Sequence, residues 1–436
     1  MASPSRSEPQ WQALFSNPGF PFFFAGMFVS LFGTGMNFAG VTLYVLAKTH
    51  STVQVSITVI LLTLPRLVVP PIGGVLTDRV DRRYLCILLD LGRAAIVLGA
   101  AFLAWRGRLE LWQLYGMVLL LGVGFAVYWS SSLALLQELI PPQQLVTANS
   151  AALIAVQGGM LAAGGLVGLV YEHAGLAGIL AIDGTTYVLS AICFYLLRRG
   201  YFAPQSSASH GLFGPTDLES QVVESYVVGE SSVLEDIHEG LNYLRCQPAV
   251  LALGLTYACM MAGVISANVL VVALANNLLH VGARGYGFIE SGWAFGAVVG
   301  GFAAAPLARR RPVRVLVASL FLLAVGHALF PYATSLALAI GMNIIFGGCR
   351  AIGAVLTQSS ILASVPNRLM GRTQSAFAFM ATVLQVVMSF ALGWLAEHSS
   401  LQLAFLLLGA IYGVAVLAAL RVRTLGPVLD GEPTAA

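Results

Sequence analysis

The segment GGVLTDRVDRRYL, residues 73–85, holds the densest charge in this chain. Five charged residues lie within six of its positions: Asp78, Arg79, Asp81, Arg82 and Arg83. Only 9% of the 436 residues are charged and 58% are hydrophobic, whereas a soluble domain has about 25% charged residues. The segment lies between two long apolar runs, so it predicts a loop at the edge of a membrane.

Apolar runs of this kind recur along the chain. A helix needs about 20 residues to cross the hydrocarbon core, and only helices or closed barrels satisfy their backbone groups there. The runs are too long for barrel strands, so we predict an all-α polytopic membrane protein. We place twelve spans at residues 20–46, 52–76, 84–105, 112–136, 146–171, 176–198, 249–275, 284–306, 313–333, 335–361, 373–396 and 400–421.

The basic residues are divided unevenly between the two ends of these spans. With a cytoplasmic N-terminus, 15 of the 22 Lys and Arg residues fall on the cytoplasmic side, four on the opposite side and three within spans. The positive-inside rule therefore places both termini in the cytoplasm, and we call the cytoplasmic side inner and the other side outer. We expect a multi-pass protein of a plasma membrane, in bacteria the inner membrane. The net charge of +3 reflects this topology and indicates no nucleic-acid partner.

A polar stretch divides the spans into six and six. It is rich in Ser, Gly and Glu, which predicts a flexible linker, and it ends in SVLEDIHEGLNYL (232–244), an amphipathic pattern typical of a helix on the membrane surface. The predicted units are an N-terminal tail (1–19), an N-terminal six-helix bundle (20–199), the linker (200–248), a C-terminal six-helix bundle (249–423) and a C-terminal tail (424–436).

The two halves also repeat each other at an offset of 225 residues. GLVYEHAGL (168–176) aligns with GWLAEHSSL (393–401), and LIPPQQLVTANSA (139–151) aligns with SVPNRLMGRTQSA (364–376). We interpret the repeated Glu-His pair of the first alignment as inherited through duplication rather than as a pH sensor. Internal repeats are typical of secondary transporters, whose substrate site lies near the middle of the membrane between the repeats.

Specific motifs carry a family resemblance. The pattern Gly-x-Leu-x-Asp-Arg-x-x-Arg-Arg at 74–83 resembles the signature loop of the major facilitator superfamily. SLFGTGM (30–36), DLGRA (90–94) and ELIPPQQLVTANS (138–150) look like the branch that includes enterobactin-type siderophore exporters and macrolide efflux proteins. The resemblance implies the major facilitator fold, a central cavity lined by spans 1, 4, 7 and 10, and alternating access. Span 4 has no Arg and span 5 has no Gly-Pro pair, so the coupling of drug–proton antiporters does not carry over directly.

The resemblance also implies a conformational latch in the signature loop. In the family, the acid of this loop contacts the start of helix 11, which we expect near Thr373. The physics supports such a contact, because a helix N-terminus carries about half a positive charge and favours an anion. The predicted latch residues are Gly74, Asp78, Arg79, Arg82 and Arg83. Clustered arginines also act as topology signals, but that alternative leaves the aspartate unexplained.

Polar and aromatic side chains on the spans that line the cavity predict a substrate site. Its predicted members are Asn37, Tyr128, Trp129, Tyr257, Asn268, Asn343 and Arg350. An ionisable residue deep in a span costs at least about 2.5–3.5 kcal/mol, so we expect Arg350 to bind an anionic or polar substrate group. The alternatives are a buried acid beside Arg350, and helix packing for the smaller polar residues.

Two carboxylates within the spans, Asp183 and Glu290, are candidates for proton coupling. A desolvated carboxyl group holds a proton more readily than one in water. Asp183 has a structural alternative, because neighbouring threonines can satisfy its oxygens. Glu290 can instead neutralise Arg350 or lie near the water interface.

Three further charged residues lie within the spans. Asp90 and Arg93, three positions apart on one helix, predict a structural intramembrane pair. Arg66 lies at mid-depth in span 2, and the sequence assigns it no partner.

Together these features predict a secondary active transporter that exports an amphipathic small molecule, such as a siderophore, an antibiotic or another secondary metabolite, in exchange for protons. The alternatives are uptake or lipid and lysolipid movement by the same fold, and more remotely a membrane enzyme or a sensor. The sequence contains no nucleotide-binding loop, no H-E-x-x-H and no G-x-S-x-G, so we expect no enzyme activity, no cofactor and no metal site. The expected partners are the substrate, protons and the bilayer, and we expect a monomer.

Overall fold

The structure is a computed structural model that describes residues 14–67, 69, 80–141, 144–197, 247–308, 312–365 and 367–425. Most of the two predicted tails and almost all of the predicted linker lie outside these residues, as do Gly74, Asp78 and Arg79 of the signature loop. The helices are α1 (Phe20–Thr49), α2 (Thr52–Thr63), α3 (Arg82–Trp105), α4 (Leu111–Leu139), α5 (145–174), α6 (176–196), α7 (Pro248–Ala273), α8 (Gly282–Ala308), α9 (Pro312–Leu329), α10 (Leu336–Ser364), α11 (Asn367–His398) and α12 (Leu401–Leu425).

Tight turns on the outer side join several successive helices. α5 and α6 follow one another without a loop, and the break falls at Gly175, whose φ of 59° lies in the region that favours glycine. α1 and α2 are joined at His50 and Ser51, and the Ser51 hydroxyl caps α2 by accepting a hydrogen bond from the Gln54 N–H at 3.2 Å. Short connections make consecutive helices antiparallel neighbours.

The described residues contain nine segments that are long and apolar enough to cross a membrane. One of them, Ile154–Leu196, includes both α5 and α6 and therefore counts as two spans. The apolar stretch Thr52–Leu67 and the 27-residue α8 occupy the positions of predicted spans 2 and 8. The prediction of an all-α protein with twelve membrane helices in two six-helix repeats is confirmed.

One predicted boundary is wrong. Helix α11 begins at Asn367 rather than near Thr373, so Arg372 lies inside the helix and not before it. The segment 367–372 (NRLMGR) interrupts the apolar run with an asparagine and two arginines, but such residues do not end a helix that extends beyond its apolar part. Thr373 is therefore not the N-terminal residue that an acid of the signature loop would meet.

The six helices of each half pack mainly against one another. In the N-terminal half, α1 and α3 both pack against the α5–α6 unit, and in the C-terminal half α8 packs against α10 while α7 packs against α11 and α12. The two halves meet where α8 lies against α5 and where α11 lies against α2. These two contacts are related by the internal repeat, since α5 corresponds to α11 and α2 corresponds to α8.

Glycines allow α8 and α10 to approach closely. Gly292, Gly296 and Gly300 recur every four residues along one face of α8. A Cβ atom at Gly296 would overlap the carbonyl oxygen of Ile344 in α10, and one at Gly300 would overlap that of Gly348. Small residues at this spacing are typical of helix pairs in membranes, where backbone contact replaces the hydrophobic driving force.

This packing predicts that Gly296→Ala destabilises the C-terminal half. The added methyl group must push α8 and α10 apart, and overpacking of this kind costs about 1–3 kcal/mol. The matched control is Gly301→Ala on the same helix, because a Cβ atom there meets nothing within 4 Å. Thermal unfolding of the detergent-purified protein is expected to start at a lower temperature for Gly296→Ala only. Equal unfolding temperatures for the two variants would contradict the close contact.

Candidate functional site

A buried ion pair lies inside the N-terminal half. Arg93 Nη2 donates to Asp90 Oδ1 one turn earlier on α3, and both side chains are almost completely buried. The Arg93 guanidinium also lies over two aromatic rings, 4.2 Å from the centroid of Tyr128 and 4.4 Å from that of Tyr187. These contacts make Arg93 the point where α3, α4 and α6 meet. Tyr128 is thereby packed within its own half, with no exposed surface.

Asp183 is the second acid in this half, and its hydrogen-bond partner is Asn37. The Asn37 Nδ2 donates to Asp183 Oδ2 at 2.6 Å, which connects α1 to α6. The neighbouring hydroxyls of Thr185 and Thr186 donate to backbone carbonyls instead. Among the described residues, no cation lies within ion-pair distance of Asp183. This carboxyl group is thus fully buried, with a neutral partner.

Glu290 is the acid within the membrane helices of the C-terminal half, and it lies on α8. The next residue back on α8, Ile289, accepts a 2.6 Å hydrogen bond from Asn343 Nδ2 through its carbonyl oxygen, which connects α8 to α10. Within the part of the chain that the structure describes, Glu290 has no ion pair. Asn268, another predicted cavity residue, donates to the Val264 carbonyl of its own helix at 3.1 Å.

Arg350 lies on α10 and is partly exposed. Its Nη2 lies 3.6 Å from Met261 Sδ, and its Nε has no hydrogen-bond partner among the described residues. The tyrosines Tyr257 and Tyr412 lie close enough to interact with it electrostatically. In the described ranges no carboxylate lies within ion-pair distance of Arg350, so neither Glu290 nor another of these acids pairs with it.

Arg66 packs against an aromatic surface in the N-terminal half. Its guanidinium lies over the Phe125 ring of α4, 5.3 Å from the centroid, and Phe125 stacks on Trp129 at 6.1 Å. This contact joins the end of α2 to α4.

Two arginines of the signature loop contact their own half. Arg82 pairs with Glu138 at the end of α4, at 2.5 Å. Arg83 donates to the carbonyl oxygens of Phe194, at 2.7 Å, and of Tyr195, both at the end of α6. These contacts attach the start of α3 to α4 and α6. The other three latch residues lie outside the described residues, so the latch stays a prediction.

Two glutamates connect the halves on the outer side. Glu172 at the end of α5 accepts from Arg284 Nε on α8 at 2.5 Å. Glu397 at the end of α11 accepts from the hydroxyl of Ser51 at 2.5 Å and from the N–H of Val53 at 2.9 Å, both beside the start of α2. We call these contacts of Glu172 and Glu397 the outer clasp.

A glycine lies one turn before each glutamate of the outer clasp. A Cβ atom at Gly168 would lie 2.5 Å from the Cα of Arg284, and one at Gly393 would overlap the hydroxyl of Ser56. The Gly393 carbonyl also accepts a 2.7 Å hydrogen bond from Thr52. Because glycine has no side chain, the two halves can approach closely beside each glutamate.

The outer clasp is the feature that the sequence interpretation missed. Its signal was present, because the repeat aligns Gly168 with Gly393 and Glu172 with Glu397. Inheritance through duplication explains the match in sequence but not the contacts. In each copy the glutamate at the end of one helix meets the start of a helix in the other half: Glu172 forms an ion pair with Arg284, and Glu397 accepts hydrogen bonds from Ser51 and Val53.

Comparison with known proteins agrees with this architecture. The sequence profile of the Major Facilitator Superfamily matches residues 23–275 and 253–435. The chain is 24% identical over 380 residues to the uncharacterized MFS-type transporter YfiS of Bacillus subtilis, covering 83% of this chain and 82% of the relative. It is also 24% identical over 362 residues to the enterobactin exporter EntS of Escherichia coli O1:K1, covering 82% of this chain and 80% of the relative.

Among solved structures, the nucleoside transporter NupG has the same fold. It superposes with a TM-score of 0.70 at 13% sequence identity, over 93% of this chain and 99% of the NupG chain. The resemblance inferred from the signature loop is therefore confirmed. Since the profile matches nearly the whole chain, the protein belongs to the major facilitator superfamily of membrane transporters and is not an enzyme.

Proposed function

We propose that this transporter exports an amphipathic small molecule, such as a siderophore, an antibiotic or another secondary metabolite, by alternating access and in exchange for protons. The observation that carries the proposal is the outer clasp, because it holds the halves together at one end of the bundle. In this proposal the chain works as a monomer in a plasma membrane, the inner membrane of a bacterium, with both termini in the cytoplasm.

The contacts between the halves support alternating access. Most of them lie toward the outer ends of the helices, at residues 51–56 with 393–397 and at 164–172 with 284–291. A buried hydrogen bond from Gln385 Nε2 to the Thr63 hydroxyl, 2.7 Å long, lies deeper. An exposed ion pair contributes only about 0.2–1 kcal/mol, and the side chains of Arg284 and Glu172 are 48% and 38% exposed. Such contacts bias an equilibrium between two states without locking one of them. The outer clasp therefore suits a gate that opens in every cycle.

The opposite state needs its own contacts on the inner side. The signature loop at 74–83 is the proposed latch there, on the grounds of the family resemblance and of the charge that its sequence carries. Arg82 and Arg83 anchor the second part of this loop to α4 and α6 of the same half.

The direction of transport rests on a relative. EntS is named as an enterobactin exporter, and it aligns with most of this chain. We extend export, but no particular substrate, to this protein. Of the seven predicted cavity residues, Trp129, Tyr257, Asn268 and Arg350 are partly exposed. Trp129, Tyr257 and Arg350 offer aromatic rings and a positive charge, so they are the strongest candidates for substrate contact.

Asp183 and Glu290 are the proposed proton sites. A proton-coupling carboxylate must lose its charge during the cycle, which an adjacent cation would oppose. Asp90 has such a cation beside it, because it pairs with Arg93. We therefore propose that this pair stabilises the fold and carries no proton. Asp183 accepts a hydrogen bond from a neutral amide, and Glu290 has no ion pair in the described residues, so both are free to change protonation.

The outer clasp gives a first test. In the Glu172→Ala, Glu397→Ala double variant, the outer side is expected to open more often, since each lost contact moves the equilibrium by up to about fivefold. The reporter is a cysteine in place of Ser56, which is buried against α11, in a chain whose five native cysteines are replaced. Its labelling by a membrane-impermeant maleimide added from outside is expected to become faster.

The neighbouring histidines provide a matched control. The Nδ1 of His173 contacts the Leu169 carbonyl at 2.8 Å, and that of His398 contacts the Trp394 carbonyl at 3.1 Å, each in its own helix. The His173→Ala, His398→Ala double variant is expected to label at the unmodified rate. The glutamates would not hold the outer side closed if the labelling rate rose equally in both double variants, or if it did not rise in the Glu172→Ala, Glu397→Ala variant.

Asp183→Asn and Glu290→Gln test the proton sites. Each substitution keeps the shape of the side chain but replaces its titratable carboxyl group with a neutral amide. Efflux driven by a pH gradient in proteoliposomes is expected to fall by at least an order of magnitude, while counterflow without a gradient stays close to wild type. The solute is taken from a screen of dyes, macrolides and siderophores in an efflux-deficient host.

Glu110→Gln is the control for the proton sites, because Glu110 is an exposed carboxylate that caps α4 outside the membrane helices. It is expected to leave both measurements unchanged. If Asp183→Asn and Glu290→Gln both kept full gradient-driven efflux, neither carboxylate would be a proton site. A parallel loss of counterflow would instead indicate damage to the substrate path.

A further inference from the structure

Three basic residues at the outer end of the N-terminal half have no acid paired with them. Of the four Lys and Arg residues that the predicted topology assigns to the outer side, Arg284 pairs with Glu172. The others, Lys48, Arg106 and Arg108, are exposed, and within the described ranges none of them has an ion pair. Basic residues on this side oppose the orientation that the remaining basic residues favour, so this group requires a separate explanation.

A Schellman motif fixes two of these residues in the turn between α3 and α4. Gly107 follows the end of α3 with a φ of 66°, a conformation that favours glycine. Its N–H donates to the Ala104 carbonyl at 3.0 Å, and the N–H of Arg108 donates to the Leu103 carbonyl at 2.9 Å. These two hydrogen bonds define the motif. Arg106 and Arg108 therefore flank Gly107 in a turn whose backbone is fixed.

Lys48, in the last turn of α1, contacts the same turn. It is the only lysine of the chain. Its Nζ donates to the Leu109 carbonyl at 3.3 Å and lies 5.5 Å from the centroid of the Tyr44 ring. An ammonium group has three N–H donors, and the described residues accept a hydrogen bond from one of them. The other donors are therefore available to a ligand.

A cavity of about 260 Å³ lies beside this lysine. It is bounded by the ends of α1 and α3, by the α3–α4 turn and by the break between α5 and α6, and its lining includes Tyr44, Lys48, Gly107, Leu109 and Gly175. Lys48 carries the charge among the described lining residues, and no acid is among them, so the cavity favours an anion. Pockets for drug-sized ligands measure about 300–1,000 Å³, so this smaller cavity suits a single headgroup.

Exposed aromatic side chains place this corner at the level of the lipid headgroups. Trp105 at the end of α3 is 74% exposed, and Trp112 in the first turn of α4 is 72% exposed. The Arg106 guanidinium lies 5.0 Å from the ring centroid of Phe102 and 5.9 Å from that of Trp105. Tryptophan at the ends of membrane helices is typical of the boundary between hydrocarbon and headgroups. The anion that the cavity favours is therefore best supplied by a lipid.

We propose that the cavity beside Lys48 binds the phosphate group of an anionic phospholipid in the outer leaflet. The phosphate oxygens accept hydrogen bonds from the Lys48 ammonium group, which binds such groups as a compact point charge. Arg106 and Arg108 add positive charge on both sides of Gly107, and each basic residue near an anionic surface strengthens binding by about fivefold. The site shares no residue with the substrate and proton sites proposed above, so it stands independently of the transport function.

The single lysine gives a site-specific test. The protein is purified in a neutral maltoside detergent, Lys48 is acetylated with the uncharged reagent N-acetoxysuccinimide, and the rate is read by mass spectrometry of the peptide that contains it. Phosphatidylglycerol added to the micelles is expected to slow the acetylation by about fivefold or more, because a bound phosphate covers the amine. Phosphatidylcholine with the same acyl chains carries its own trimethylammonium group, so it is expected to leave the rate nearly unchanged.

Two variants test the contribution of the arginines. In the Arg106→Gln, Arg108→Gln variant, the phosphatidylglycerol needed for half-maximal protection is expected to rise by about tenfold or more, since two basic residues are lost. Arg314→Gln, at the exposed start of α9 on the inner side, is the control and is expected to be protected like the wild type. Both variants experience the same micelle charge, so a change in the first alone identifies the site.

A soluble phosphate ester offers the same chemistry, and a separate titration distinguishes it. Glycerophosphate, which is the same headgroup without acyl chains, is expected to protect Lys48 only weakly over the same range of concentrations. Equal protection by glycerophosphate would overturn the assignment to a lipid. Equal protection by the two lipids, or unchanged protection in the Arg106→Gln, Arg108→Gln variant, would overturn the proposal.

Native mass spectrometry gives a second measurement, which includes Lys48 itself. Lys48→Gln is expected to retain less phosphatidylglycerol than the wild type through delipidation. Lys48→Arg keeps the positive charge and is expected to retain as much as the wild type, which shows that the position tolerates substitution. Equal retention by Lys48→Gln and the wild type would contradict a lipid site at this lysine.

Discussion

The hydrocarbon core of a membrane supplies no water, so a polar group in a membrane helix must find its partner within the protein. Most of this structure follows that constraint. Asn37 bonds to Asp183, Asn343 bonds to a carbonyl of α8, and Arg93 is enclosed by Asp90 and two aromatic rings. These contacts lie within one half, so each six-helix bundle is held together by buried polar contacts as well as by apolar packing. Some buried polar atoms still have no partner among the described residues, such as Asp183 Oδ1 and Arg350 Nε.

The interface between the halves combines exposed and buried contacts. Within a half, helices are joined by buried hydrogen bonds and by glycine contacts such as that between Gly296 and Ile344. Between the halves on the outer side, glycines again allow the backbones to touch, and the contacts of the outer clasp are exposed. Buried hydrogen bonds also cross this boundary, from Thr52 to the Gly393 carbonyl and from Gln385 to Thr63. Water can replace an exposed ion pair at little cost, so the buried hydrogen bonds are the contacts that cost more to break when the halves separate.

The sequence predicted the number and order of the helices because span length and apolar composition are set locally by the bilayer. It did not predict the outer clasp, although the repeat contained the signal, because Ser51 and Glu397 are 346 residues apart and their contact depends on how two helices cross. For the same reason it placed Asn37 and Tyr128 on the cavity face, where span periodicity puts them, while the structure buries both in their own half. The start of α11 was wrong because polar sequence does not separate a loop from a helix that extends into water.

The charges inside the membrane helices add a last argument about direction. Three acids and three arginines lie within the spans, namely Asp90, Asp183, Glu290, Arg66, Arg93 and Arg350, yet only Asp90 and Arg93 are in contact. A carboxylate without a cation beside it gains a proton more readily than one in an ion pair, which is the property that the proposed proton sites need. In the proposed export, an anionic substrate would gain about 2.3 kcal/mol per 100 mV on leaving a cytoplasm held at negative potential, and the same potential would oppose its uptake. The proposed entry of a proton on Asp183 or Glu290 would then add to a driving force that such a substrate already has.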